Sequence, residues 1–122
     1  MVRITEKFLD LGPGHIVETS FSGADAQSSP ANVTGFAYSN TTVRAFRALV
    51  AVEIDATADL FEVFDITGIQ KGAAWEITSR GTGDNSQVEF TITSAGQLQY
   101  TGGTYTGFVS MTIKFESIGI AK

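Results

Sequence analysis

A chain of 122 residues is long enough to bury one hydrophobic core and too short to divide comfortably into two, so one domain over residues 1–122 is expected. Hydrophobic residues at 43%, including nine Phe, with only 17% charged residues exclude a disordered chain. A net charge of −5 with no basic cluster argues against nucleic acid and anionic membranes as partners, and the absence of cysteine removes disulfides, thiolate metal sites and thiol nucleophiles.

In chain order, Val2 and Ile4 alternate with Arg3 and Thr5 in an expected opening strand, and Gly12-Pro13-Gly14 is a strong turn signal. The N-terminus lacks the continuous apolar run of a secretion signal, and no stretch is long enough to span a bilayer as a helix, so synthesis in the cytoplasm without membrane insertion is expected. His15 to Phe21 reads as a short strand, and the polar stretch Ser22 to Asn32 as an exposed loop. Residues 1–31 are thus expected to form an N-terminal arm with a loop, and residues 32–122 the main body.

Val33 to Tyr38 reads as a strand with Phe36 and Tyr38 on one face. The segment from Val43 to Phe64 contains enough Ala, Leu and Glu to be drawn as a helix. Its alternation predicts two strands instead: Phe46, Ala48, Val50, Val52 and Ile54 oppose Arg47, Leu49, Ala51, Glu53 and Asp55. After a connection at Asp55 to Asp59, Leu60, Glu62, Phe64 and Ile66 oppose Phe61, Val63, Asp65 and Thr67, which puts apolar residues on both faces. Gly68 to Ala73 is expected to be a loop, Trp75 to Thr78 a strand, and Arg80 to Asn85 its turn.

The clearest alternation lies in the last third. Val88, Phe90 and Ile92, then Leu98 and Tyr100 beyond the Ser94-Ala95-Gly96 turn, predict a hairpin. Past the glycine-rich Thr101 to Gly107, Val109, Met111, Ile113 and Phe115 predict a third strand, read as continuing the same antiparallel run. About eight short antiparallel strands and no helix point to an all-β fold: a two-layer β-sandwich of Greek-key or jelly-roll type, with a closed barrel as the alternative.

No residue pattern carries catalysis. His15 is the only histidine, and neither Asp10 nor Glu18 completes a metal or acid–base set with it. Asp55, Asp59, Glu62 and Asp65 fall on both faces of two strands and a turn, which suits neither calcium nor a carboxylate pair. Asp84-Asn85 reads as turn chemistry, and Arg80-Gly81-Thr82-Gly83 does not lie between a strand and a helix as a phosphate loop does. No cofactor and no metal are expected. Trp75 and Tyr105 are the aromatics to test for contact with a ligand or receptor, Trp75 with core as the competing reading and Tyr105 in an exposed loop. Phe61, Val63 and Phe108 lie opposite the expected core face and are candidates for a subunit interface.

The runs Phe90 to Thr101 and Gly107 to Phe115, with Thr42 to Phe46, Glu53 to Ala56 and Leu60 to Gln70 upstream, resemble the terminal β-domains of tailed-bacteriophage fibre, tail-tip and capsid-decoration proteins. The likeness runs from about Val33 to Phe115, without an upstream shaft repeat or heptads. It implies a structural or adhesive virion protein, homotrimeric, non-enzymatic, contacting other virion proteins and a host-surface glycan. The competing readings are a monomeric carbohydrate-binding module and, more remotely, a small β-barrel hydrolase or isomerase.

Overall fold

The computed structural model describes residues 14–122, and the expected opening strand at Val2 to Lys7 lies outside the described residues. Eight strands are present there and no helix: β1 (Ile16–Gly23), β2 (Ala31–Ala37), β3 (Val43–Asp55), β4 (Leu60–Gln70), β5 (Trp75–Gly83), β6 (Glu89–Ile92), β7 (Gln97–Thr101) and β8 (Ser110–Ala121). They form two antiparallel sheets, ordered β1-β8-β3-β4-β5 and β2-β7-β6, whose inner faces enclose the core. The fold is a β-sandwich.

Strand β3 lies at the centre of the larger sheet and carries the longest alternation among the described strands. Phe46, Ala48, Val50, Val52 and Ile54 are all buried, as predicted. Its partners are in phase with it: Val50 faces Phe64 of β4 and Phe115 of β8, and Val52 faces Ile113. From the smaller sheet Val33, Phe36, Phe90, Leu98 and Tyr100 close the core. Each large apolar side chain buried in this way contributes about 1.5–3 kcal/mol.

Aromatic rings fill one end of the core. Tyr38 stacks on Phe46 with centroids 4.7 Å apart, and Phe36 meets Tyr38 edge-on at 5.6 Å. Trp75 packs against both Tyr38 and Phe46, and its indole N–H donates to Asn40 Oδ1 at 2.5 Å. The Tyr38 hydroxyl donates to the Gly14 carbonyl at 2.8 Å and also contacts the Ser117 hydroxyl, which in turn bonds the Arg47 carbonyl at 3.2 Å. Burial pushes the Tyr38 phenol up to about 12, against a smaller opposing effect of the Ser117 bond. At this end Gly14 crosses Gly119 so closely that a Cβ on either would overlap the other's backbone.

Four expectations are corrected. The last three strands are not one meander: β6 and β7 form the predicted hairpin, but β8 crosses to the other sheet and pairs with β1 and β3. Period-two alternation reports which face is apolar and says nothing of the neighbouring strand. Strand β5 runs through the expected turn as far as Gly83, because β4 offers it an in-register edge from Glu62 to Gln70. The exposed loop expected at Ser22 to Asn32 is shorter at both ends, since β1 reaches Gly23 and β2 begins at Ala31. The loop expected from Gly68 starts after Gln70.

The β6–β7 turn is as its residues predict. Gly96 has φ +91°, a conformation that strains any other L-residue, and a Cβ there would strike the Tyr38 carbonyl. Its N–H donates to the Thr93 carbonyl at 3.0 Å.

Candidate functional site

Two surfaces stand out once the strands are in place: the outer face of the five-stranded sheet, and the pole of the sandwich where four loops meet.

On the outer face, residues of β3, β4 and β8 that are out of phase with the core come together. Leu49 (61% exposed), Ile118 (64%) and Ile120 (65%) project over the middle of the sheet, flanked by Ala45. They line a groove of about 620 Å³ whose polar side is made by Arg47, Asp65, Thr67 and Glu116. A second groove of about 410 Å³ continues from Thr67 to Ile69, Lys71 and Glu76. Phe61 (55% exposed) lies on the same face at its far end, next to the half-buried Val63. Unpartnered apolar area over central strands is the kind of surface that proteins use for contact with other chains.

The charges of this face include two ion pairs and nearly balance. Arg47 holds Asp65 at 2.8 Å and Lys71 holds Glu76 at 2.9 Å, both in the open. The Arg47 bond keeps the Asp65 carboxyl below its ordinary value and raises the guanidinium's own, and Lys71 and Glu76 affect each other in the same way. Arg80 and Lys114 complete the bases, and Glu53, Asp55 and Glu116 the acids, so that four bases stand against five acids.

At the loop pole, residues 24–30, 56–59, 84–88 and 102–109 are stitched together. Ala26 N–H donates to the Gly103 carbonyl (2.9 Å) and Gly102 N–H to the Gln27 carbonyl (2.8 Å), which joins the loop after β1 to the loop after β7. Thr57 N–H reaches the Thr106 carbonyl at 3.1 Å. Ala26 and Gln87, with φ of 56° and 65°, are non-glycine residues in the left-handed region, both at this pole.

Tyr105 is the pin of that pole, and its expected exposure is corrected: it is only 6% exposed. Its hydroxyl donates to the Ser86 carbonyl (2.6 Å) and accepts from Gly103 N–H (3.1 Å), while its own N–H donates to Asp25 Oδ1 (2.9 Å). Burial raises the phenol above its ordinary value, partly offset by the Gly103 bond. A ring that closes a loop on its own hydrogen bonds is not open to a ligand. Phe108 stacks on it at 6.1 Å and packs against the core, so it is half-buried at the rim and not opposite the core as expected. Trp75 is 7% exposed and follows the core reading.

Three of the acidic residues hold backbone or hydroxyl donors. Asp59 accepts from Ala56 N–H (3.1 Å), Asp84 from Phe61 N–H (2.9 Å), and Glu62 from the N–H and hydroxyl of Ser86 (2.9 and 2.6 Å). Among the described residues no group of three or more His, Cys, Asp or Glu is placed to hold a metal. Asp10, weighed beside His15, lies outside the described residues.

Sequence reading missed Leu49, Ile118 and Ile120. Leu49 sits among Arg47, Ala51 and Glu53 on a face that reads as polar, and the predicted last strand stops near Phe115. The available signal was the phase of Ser117-Ile118-Gly119-Ile120, which puts a small residue inward and an isoleucine outward at each step.

The arrangement defines a class of protein by its fold: a β-sandwich with one open apolar sheet face and one tightly knit loop pole. Comparison with solved structures finds this fold in the tailspike protein of Acinetobacter phage vB_ApiP_P1, with a TM-score of 0.53 and 17% identity over 91% of this chain. The chain spans about a fifth of that protein's length, 21% of it. No family model and no curated protein sequence matches.

Proposed function

We propose that the chain is a non-enzymatic structural module of a bacteriophage virion, a homotrimeric β-sandwich of a tail fibre, tail tip or capsid decoration. The observation that carries this reading is the open apolar face around Leu49, Ile118 and Ile120, on a fold shared with part of a phage tailspike. An apolar stripe across central strands is at home in an assembly, where neighbouring copies keep it from water. Its partners are itself and other virion proteins, its place is the virion, and the polar loop pole is the end left free for a host-surface glycan. It uses no cofactor. Phe61 and Val63 border the contact between copies, and Phe108 supports the pole.

The monomeric carbohydrate-binding reading loses its two aromatic candidates, since Trp75 and Tyr105 are buried and hydrogen-bonded. Light scattering on a sizing column over a concentration series tests the proposal. A mass near three times 13.0 kDa is expected, and a concentration-independent monomer would refute it.

A further inference from the structure

We infer that copies of this chain meet on the outer face of the five-stranded sheet, with Leu49, Ile118 and Ile120 at the centre of the contact, and that the distribution of charge confines self-association to this face. The inference rests on the homo-oligomeric reading above and names the surface responsible for it.

Two independent observations meet here. The first is apolar exposure: Leu49, Phe61, Ile69, Ile118 and Ile120 all project from this one face. The second is charge. The whole chain carries −5, yet on this face four bases offset all but one of five acids. The surplus lies elsewhere: Asp25, Asp59 and Asp84 sit in pole loops that contain no Lys, Arg or His. Copies approaching pole to pole bring unpaired like charges together, whereas copies approaching by the sheet face meet an apolar surface whose charges nearly cancel.

That near-balance also argues for a second copy over a foreign partner. A strongly charged partner gains little electrostatically from a nearly balanced face, while a copy of the same chain, repelled by its acidic surfaces, is repelled less here than at the pole. Three copies turning this face towards a common axis set the Leu49–Ile118 ridges against one another, with Arg47 and Glu116 at their flanks. Such a contact is driven by apolar burial, so added salt should leave it unchanged or tighten it, whereas a contact made by ion pairs would loosen.

The experiment compares the wild type with Leu49→Asp/Ile118→Asp, and with Thr91→Asp on the exposed side of the smaller sheet, by light scattering and sedimentation between 50 and 500 mM salt, as roughly a threefold change in Debye length. Circular dichroism checks folding, which exposed positions should leave intact. The expected result is an oligomeric wild type and Thr91→Asp protein, and a sheet-face double variant whose self-association is weakened at least about tenfold, a cost of about 1.4 kcal/mol. Oligomers that survive the double substitution would overturn the inference and leave the oligomeric reading standing. A monomeric wild type would overturn that reading itself.

Because the chain lacks cysteine, Ile118→Cys gives a second measurement that does not depend on disrupting the face. A short bismaleimide should join Ile118→Cys copies and leave Thr91→Cys copies single. The reverse pattern would place the contact on the other sheet.

Discussion

Tyr105→Phe removes one oxygen and leaves the ring, its stacking on Phe108 and its backbone bond to Asp25 in place. The hydroxyl makes two hydrogen bonds, to the Ser86 carbonyl at 2.6 Å and from Gly103 N–H at 3.1 Å, and the first of these is buried. A neutral hydrogen bond contributes about 1 kcal/mol net, and a buried carbonyl left without a donor adds to the loss, so a destabilisation of about 2 kcal/mol is expected. Unfolding entropy is about 2.1 cal/mol/K per residue near 60 °C, or about 0.26 kcal/mol/K for a chain of this length. The melting temperature should therefore fall by about 8 °C. Thermal unfolding followed by circular dichroism measures it, with urea unfolding as a check that the slope is unchanged. A fall of less than about 2 °C, on the scale of about 4 °C per kcal/mol, would refute the role of this hydroxyl as the pin of the loop pole.

Tyr38 should make stability depend on pH at the alkaline end only. Its phenol is raised from 10.0 to about 12 in the folded chain, so its contribution is fully present below about pH 10 and is lost as pH rises through about 12. At about 1.4 kcal/mol per pH unit the loss approaches 3 kcal/mol, and Tyr38→Phe should flatten urea-unfolding free energies across that window. A variant that keeps the wild-type slope would show that another group titrates there. Leu98 and Leu49 make a paired test of burial: Leu98→Ala, at a fully buried site, should cost about 2–5 kcal/mol in urea unfolding. Leu49→Ala should cost less than about 0.5 kcal/mol when the protein is diluted to the monomer. Equal costs would contradict the outward placement of Leu49.

Much of the sandwich was legible in local chemistry. Phe46 to Ile54 alternate without a break, and the strand they predict is the centre of the larger sheet. Thr93 to Gly96 carry a turn at the position their residue types demand. Asp59 and Asn85 accept from backbone N–H groups two or three residues away, at Ala56 and Gln87, as short polar side chains at turns do. These features depend on neighbours a few residues away, and the sequence displays them directly.

The pairing of strands and the identity of the open surfaces were decided only by the tertiary structure. Phe115 has the same phase whether β8 lies beside β7 or beside β3, because side-chain alternation carries no record of the partner strand. Tyr105 looks exposed in Thr104-Tyr105-Thr106 and is buried because Asp25 and Ser86, distant in sequence, arrive beside it. The apolar face has the same origin: Leu49, Ile118 and Ile120 are single hydrophobic residues on separate strands, unremarkable one at a time. They became a surface when β3 and β8 were laid side by side, at a spacing of about 4.8 Å between strands. The sequence by itself determined an all-β chain with its turns and core phases, since those follow from residue type and period. Which strands became neighbours, and so which side chains share a face, depended on contacts between distant residues that only the packed fold brings together.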